Sequence, residues 1–146
     1  MKILDAYKLA ATLHRDQVDK AGHPYIEHLT RVFLRVVDAG GSRDQQIAAL
    51  LHDSIEDGRT NIPALDAAGV PPLAIKIIVT LTRCASEPYA DYIQRIRGRH
   101  DASLVKLADL ADNSDPERLA LLPIATQVRL IDKYNRATQL LNSTAT

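Results

Sequence analysis

Apolar residues recur at helical spacing along almost the whole chain, and this periodicity constrains the fold more than any other feature of the sequence. Alternating runs of apolar and polar residues, which are typical of half-buried strands, are missing. The sequence therefore predicts an all-α fold, a bundle of about seven to eight helices. The predicted helices cover residues 4–19, 27–39, 43–57, 62–68, 72–82, 89–97, 102–113 and 124–141.

The length of 146 residues favours one domain. By size scaling, a chain of this mass buries about two-thirds of its surface on folding, which is enough for one ordinary core. The sequence contains no internal repeat, low-complexity tract or long linker. We therefore expect a single domain over residues 1–146, with its motifs at about 5–120, a C-terminal helix at about 124–141 and a frayed polar tail at 142–146.

Positive and negative side chains balance, since 18 Lys and Arg stand against 18 Asp and Glu. A chain without net charge has no long-range field, which argues against bulk nucleic acid and anionic membranes as partners. Cys84 has no cysteine to pair with, the N-terminus lacks the layout of a signal peptide, and no uncharged apolar run approaches roughly 18 residues. We expect a soluble, cytoplasmic protein.

Two ionisable residues follow an apolar run where more core would be expected. Residues 48–51 are all apolar, and His52 and Asp53 come next. Burying such a pair is costly unless each group finds a partner or a metal. Glu56 and Asp57 follow at helical spacing, so the prediction places them on the same helix face. The alternative is a plain acidic helix end, although carboxylates there oppose the helix dipole.

A second polar group interrupts the predicted helix at 102–113. The apolar residues expected to form the buried stripe of this helix are Leu104, Leu107, Ala108 and Ala111. Asp109 lies beside that stripe and Asn113 follows one turn later, so both side chains can point into one site. For Asp109 alone, the alternative is a carboxylate at the rim that pairs with Lys106 three residues earlier.

His28 stands near the start of another amphipathic helix. A single His in this position is more often a core or capping residue than a ligand. Together with His52, Asp53 and Asp109, however, it makes a set of two imidazoles and two carboxylates from three helices. Nitrogen and oxygen donors without a thiolate suit a divalent ion such as Mn²⁺ or Fe²⁺, with positions open for water and substrate.

The order His, then adjacent His and Asp, then Asp resembles the signature of the HD-domain metal-dependent phosphohydrolases. Short sequence motifs around these residues are similar to those in the hydrolase domain of RelA/SpoT-type enzymes and in stand-alone small alarmone hydrolases, over about residues 5–120. The motifs that carry the resemblance are His14-x-x-Gln17, Gly22-x-Pro24-Tyr25-Ile26-x-His28, Ala49-Leu50-Leu51-His52-Asp53-x-x-Glu56-Asp57, Leu81-Thr82 and Val105-Lys106-Leu107-Ala108-Asp109-x-x-x-Asn113.

This resemblance implies an HD-domain helical bundle and a Mn²⁺-dependent 3′-pyrophosphohydrolase of the stringent response, which converts (p)ppGpp to GDP or GTP and pyrophosphate. Fe²⁺ or another divalent ion is the alternative cofactor, and His14 is interpreted as structural rather than as a ligand. The roles implied by resemblance are metal binding for His28, His52, Asp53 and Asp109, service to the attacking water for Glu56 and Asp57, and substrate binding for Lys20 and Asn113.

One position departs from the family pattern. In many of these hydrolases an Arg before that lysine packs on the guanine base, whereas this chain has Asp19, an anion without a planar cationic face. An HD phosphohydrolase for a different nucleotide or phosphate ester therefore stays open as an alternative. So does a non-catalytic helical module that senses a nucleotide, although Glu56 and Asp57 argue against it. Residues that offer either core or a homo-oligomer surface on the last helix are Leu130, Ile131, Leu140 and Leu141.

Overall fold

The structure, a computed structural model, describes residues 1–143, and within this range the chain forms nine helices and no strand. The all-α prediction is confirmed. The helices are α1 Ile3–Leu13, α2 Tyr25–Asp38, α3 Arg43–Leu51, α4 Ile62–Ala67, α5 Pro72–Thr80, α6 Tyr89–Arg97, α7 His100–Asn113, α8 Pro116–Leu119 and α9 Ile124–Asn142. Of the tail predicted to fray, residues 144–146 lie outside the described range, and Asn142 still belongs to α9.

Helix α3 forms the centre of the bundle and packs against α1, α2, α5 and α7. Its start is capped by Ser42, whose Oγ accepts from the amide of Gln45, while the Gln45 side chain accepts from the amide of Ser42. Residues 47–51 are all 0% exposed. Five successive buried positions mean that neighbours surround this end of the helix on every side, so the residues that follow it enter the interior.

Two helices end six residues earlier than the sequence predicts, α1 at Leu13 rather than at residue 19 and α3 at Leu51 rather than at residue 57. Side chains explain the end of α3, because His52 Nδ1 lies 2.7 Å from the Ala49 carbonyl oxygen and Ser54 Oγ donates to the Leu51 carbonyl at 2.6 Å. Residues 52–58 continue as turns. The prediction that Glu56 and Asp57 lie on a helix was therefore wrong.

Helix α7 differs from its predicted orientation. It packs against α2, α3, α5, α6 and α9, so most of its circumference is enclosed. Three residues of the predicted stripe, Leu104, Leu107 and Ala111, are only half-buried. The residues of α7 that are buried instead are Ala102, Ser103, Val105, Ala108, Asp109, Leu110 and Asp112. Two carboxylates thus stand on the inner face of this helix.

Helix α9 closes the bundle by packing against α6 and α7. Leu130 and Leu141 are buried, as predicted for core residues, whereas Leu140 is half-buried and Ile131 is 41% exposed. The homo-oligomer surface on this helix stays a prediction. Among the described helices, none combines the length and the apolar character needed to cross a bilayer.

Candidate metal centre

Four potential ligand atoms from α2, α7 and the turn after α3 meet in the interior. They belong to His28, His52, Asp53 and Asp109, and all lie within 4.8 Å of one another. Nε2 of His28 is 3.1 Å from Oδ1 of Asp109, and Nε2 of His52 is 3.1 Å from Oδ2 of Asp53. Both imidazoles are 2% exposed. The structure therefore brings together the four residues that the sequence predicted as ligands.

Both imidazole rings are oriented by a hydrogen bond at Nδ1. His28 Nδ1–H donates to Oδ2 of Asp112 at 2.7 Å, and His52 Nδ1–H donates to the carbonyl oxygen of Ala49 at the same distance. In a neutral ring held this way, Nε2 carries a lone pair rather than a proton. Nε2 of His52 is buried without a hydrogen-bond partner among the described residues. A cation between these nitrogens and the carboxylates would satisfy it.

The electrostatics of the cluster favour added positive charge. Burial by itself would lower the pKa of His52, but the carboxylates of Asp53 and Asp109 outweigh it and raise that pKa well above its ordinary value. Burial likewise opposes ionisation of Asp109, yet Lys106 Nζ at 2.8 Å and the nearby imidazoles hold the pKa of Asp109 well below its usual range. A proton on His52 and a metal ion are alternative ways to neutralise the same carboxylates.

The donor set fits a divalent cation. Two imidazole nitrogens and two carboxylate oxygens, with no thiolate, suit first-row ions that take mixed nitrogen and oxygen ligands. Each His already donates its other ring nitrogen to an oxygen acceptor, an arrangement that is common among metal-bound histidines. This His and Asp cluster is therefore compatible with a divalent metal site.

Glu56 and Asp57 lie outside the cluster, in the turn that follows Asp53. Glu56 Oε1 accepts from the backbone N–H of Arg83 at 2.7 Å, and Asp57 Oδ2 accepts from Nε2 of Gln17 at 2.9 Å. Burial, with repulsion from Asp53 added, raises the pKa of both carboxyls above the usual range. Each carboxylate thus has one oxygen fixed by a hydrogen bond, and its raised pKa favours uptake of a proton.

Sequence reasoning missed how Asp57 is supported. His14 Nδ1–H donates to Oε1 of Gln17 at 2.6 Å, which orients the amide so that its NH₂ group faces Asp57. The His14-x-x-Gln17 spacing was the available signal, and His14 is not among the four clustered donors.

A cavity of about 520 Å³ opens beside the donor cluster, and two of its lining residues hydrogen-bond to carboxylates of the cluster. The Tyr25 hydroxyl donates to Asp53 Oδ2 at 2.5 Å, and Asn113 Nδ2 donates to Asp109 Oδ1 at 3.2 Å. Lys20 lines the same cavity, so both residues predicted to bind substrate face one cavity. Other lining residues are Val18, Asp19, Arg31, Arg118, Leu130 and Tyr134.

The last helix brings cations that sequence reasoning did not assign. Burial lowers the pKa of Lys133, and the positive charges of Lys20, Lys106, Arg83 and Arg129 lower it further. Lys133 Nζ also lies 4.4 Å from the centre of the Tyr89 ring. These cations are near enough to influence one another, so a positive region adjoins the acidic donor cluster. No local pattern in α9 distinguishes Lys133 from a solvent-exposed lysine.

Comparison with known proteins agrees with this geometry. A family model for the HD domain matches residues 6–130. The chain belongs to the HD domain family. A solved structure described as a metazoan ortholog of SpoT that hydrolyzes ppGpp aligns with this HD domain at a TM-score of 0.82, over 99% of this chain and 87% of that one. Sequence identity to it is 22%, so this likeness establishes the fold alone.

Two curated relatives share more sequence with this HD domain. The guanosine-3′,5′-bis(diphosphate) 3′-pyrophosphohydrolase of Aquifex aeolicus (strain VF5) is 32% identical over 120 residues, which make up 77% of this chain and 17% of that protein. The guanosine-3′,5′-bis(diphosphate) 3′-pyrophosphohydrolase MESH1 of Danio rerio is 34% identical over 116 residues, 73% of this chain and 64% of that protein. The chain thus spans less than two-thirds of either relative.

Proposed function

We propose that this HD domain is a metal-dependent phosphohydrolase of the cytoplasm, that its ion is Mn²⁺, and that it hydrolyses ppGpp at the 3′ position to release pyrophosphate. The observation that carries the proposal is the meeting of four donor atoms in the interior, two of them imidazole nitrogens oriented through Nδ1, beside a cavity lined by Lys20 and Asn113. The names of the two curated relatives support the choice of ppGpp.

His28, His52, Asp53 and Asp109 would hold the ion, which when bound polarises a water molecule and stabilises negative charge on the phosphoryl group. One of Glu56 and Asp57 accepts the proton of the attacking water, and the other orients that water. Each has one carboxylate oxygen, Oε2 and Oδ1 respectively, without a hydrogen bond to the described residues, and that is where the proton is held. Their raised pKa values make them better proton acceptors than ordinary surface carboxylates.

Lys20 and Asn113 bind and orient the nucleotide from the cavity wall. Asn113 is well suited to this because its NH₂ group is already fixed on Asp109, which leaves the amide with a defined orientation. Lys20 has no ion-pair partner among the described residues, so its charge is available to phosphate oxygens. In a chain with no net charge, such local cations must neutralise the substrate.

The test uses the full chain, stripped of metal and resupplied with Mn²⁺. We expect it to release pyrophosphate and GDP from ppGpp, and we expect Asp53→Ala to abolish release while the helical circular dichroism spectrum is retained. Asp132→Ala, which changes an exposed carboxylate on α9, is the matched control and should keep full activity. Full Mn²⁺-dependent turnover by Asp53→Ala would contradict the proposal.

One observation favours a second candidate, an HD phosphohydrolase for another nucleotide or phosphate ester. Asp19 stands in the cavity wall with its carboxylate bonded to Arg118, so the cavity offers a different polar pattern from a free arginine at that position. A panel of nucleotides and monoesters at equal Mn²⁺ decides between the two, and a clear preference for an adenine nucleotide or a monoester would displace ppGpp. Nucleotide binding in calorimetry without any product would instead favour a sensor.

A further inference from the structure

Arg118, in the short helix α8, bridges two walls of the cavity. Its Nη1 donates to Oδ2 of Asp112 at 2.8 Å and to Oδ1 of Asn113 at 3.3 Å, while Nη2 donates to Oδ2 of Asp19 at 3.1 Å. The Arg118 side chain is 22% exposed, and those of Asp112 and Asp19 are 0% and 7% exposed. One guanidinium therefore joins the end of α7 to the loop between α1 and α2.

The α7 end of this bridge leads to the donor cluster. Asp112 Oδ2 accepts from Nδ1–H of His28 at 2.7 Å, and Asn113 Nδ2 donates to Oδ1 of Asp109 at 3.2 Å. Arg118 is thus one hydrogen-bonded residue away from two of the four donors. Without the guanidinium, the buried Asp112 carboxylate would lose a charged partner, and the Asn113 amide would lose a hydrogen bond that fixes it. His28 and Asp109, which bond to these two side chains, would then be held less firmly.

The other end of the bridge leads to the nucleotide side of the cavity. Asp19 Oδ1 accepts from the backbone N–H groups of Ala21 and His23, both at 2.9 Å, and so folds the turn that carries Lys20. Oδ2 of the same carboxylate is bonded to Arg118. Because both oxygens of Asp19 are engaged within the protein, this residue shapes the turn instead of binding a ligand.

We propose that Arg118 is a positioning residue that couples the metal centre to the nucleotide pocket. Through Asp112 and Asn113 it holds His28 and Asp109 in place, and through Asp19 it holds Lys20 at the cavity wall. The nucleotide half of this inference rests on the proposed function, whereas the metal half does not.

The experiment measures two quantities on each variant of the full chain, the Mn²⁺ dissociation constant by isothermal titration calorimetry and the KM for ppGpp at saturating Mn²⁺. We expect Arg118→Ala to weaken Mn²⁺ binding by about 10- to 100-fold, the range found when residues that orient metal ligands are changed, and to raise KM as well. Asp19→Asn, which alters only the loop end of the bridge, should raise KM and leave Mn²⁺ affinity unchanged. This split distinguishes positioning from a general loss of stability.

Two further variants serve as a control and as a conservative substitution. Arg136→Ala removes an arginine that makes an exposed pair with Asp132 on α9, and it should change neither quantity. Arg118→Lys preserves the charge but lacks the rigid guanidinium that bridges both carboxylates. It should therefore weaken Mn²⁺ binding and raise KM, each by less than Arg118→Ala does. It replaces Arg118→Ala if that variant does not fold.

Wild-type Mn²⁺ affinity in folded Arg118→Ala, or in Arg118→Lys where the alanine variant does not fold, would overturn the proposal. So would a fall in Mn²⁺ affinity in Asp19→Asn as large as that in Arg118→Ala. If the wild-type protein binds Mn²⁺ without hydrolysing ppGpp, the proposed function fails while the Mn²⁺ titrations of Arg118→Ala still decide the metal half.

Discussion

Two cavities flank α7, and they differ in what their polar side chains do. The cavity beside the donor cluster measures about 520 Å³, whereas the one on the opposite side measures about 780 Å³ and is lined by Leu104, Leu107 and Ala111 of the helix. In the larger cavity, two of the polar side chains bond to backbone carbonyls, Arg97 to Ser143 and Ser103 to Ile96.

The smaller cavity is instead bounded by side chains that bond to one another, as Asn113 does to Asp109 and Arg118 to Asp112. The donor cluster beside it contains His52, whose Nε2 is buried without a hydrogen-bond partner among the residues described. Volume is therefore a poor guide to function in this protein. A network of convergent side chains beside a buried, unsatisfied imidazole nitrogen is a better guide.

The largest expected effect comes from substitutions on the two opposite faces of α7. Asp109→Asn removes a charge from the donor cluster while keeping the side-chain shape, and we expect Mn²⁺ binding and hydrolysis to fall to background. Its matched control on the opposite face, Leu107→Ala, should retain both and lose about 1 kcal/mol of stability, since Leu107 is only half-buried. Calorimetric titration measures Mn²⁺ binding, pyrophosphate release measures hydrolysis, and thermal unfolding measures stability. Retained Mn²⁺ affinity in Asp109→Asn would contradict the assignment.

A smaller effect is expected outside the donor cluster. Glu56→Gln and Asp57→Asn should each lower kcat by about 10²- to 10⁴-fold, the usual contribution of a positioned proton acceptor, and should leave Mn²⁺ affinity close to wild type. Steady-state kinetics at saturating Mn²⁺ provide the measurement. A change in Mn²⁺ affinity with kcat unaltered would show that these carboxylates serve the ion and not the water.

The smallest effect concerns stability and pH. Burial would raise the pKa of Asp19, but hydrogen bonds from His23, Arg118 and Ala21 outweigh it and lower that pKa below the usual 3.8. A carboxyl with a lowered pKa stabilises the fold above its unfolded pKa, and this contribution is lost as pH falls through the folded value. Asp19→Asn should therefore be less stable than wild type by about 1 kcal/mol at pH 7.

That difference should shrink as the pH falls below 3.8, which thermal unfolding at a series of pH values measures. Arg97→Ala is the control from the larger cavity, because its partner is a backbone carbonyl that does not titrate. A difference between wild type and Asp19→Asn that persists unchanged at acid pH would mean that the Asp19 charge is not the cause.

The features that could be predicted from the sequence are those that depend on local sequence patterns. Helix α6 has the predicted bounds, Tyr89–Arg97, because its periodicity and flanking residues are all local. The end of α3 was missed, since the spacing of apolar residues does not show that His52 and Ser54 side chains engage carbonyls of the last turn. Residue type and order were enough to select His28 and Asp109, which the fold places 3.1 Å apart.

Long-range pairing accounts for what could not be predicted. Asp112 is buried because it meets Arg31, which is 81 residues away along the chain, as well as the nearby Arg118. Asp19 and Arg118 are separated by 99 residues. Hydrophobic periodicity treats every carboxylate as a surface group, and three of the four residues that it assigns to the buried stripe of α7 are only half-buried. Only the folded arrangement of charges reveals that Asp112 belongs inside.

The four donors come from parts of the chain that are far apart in sequence, α2, the turn after α3 and α7. An ion held there would act as a removable cross-link, because it binds the folded chain and has no preformed site in the unfolded one. Mass action then adds about 2.7 kcal/mol to the free energy of unfolding when free metal is 100 times its dissociation constant. Metal supply would thus govern how long each copy of the chain persists, as well as how fast it works.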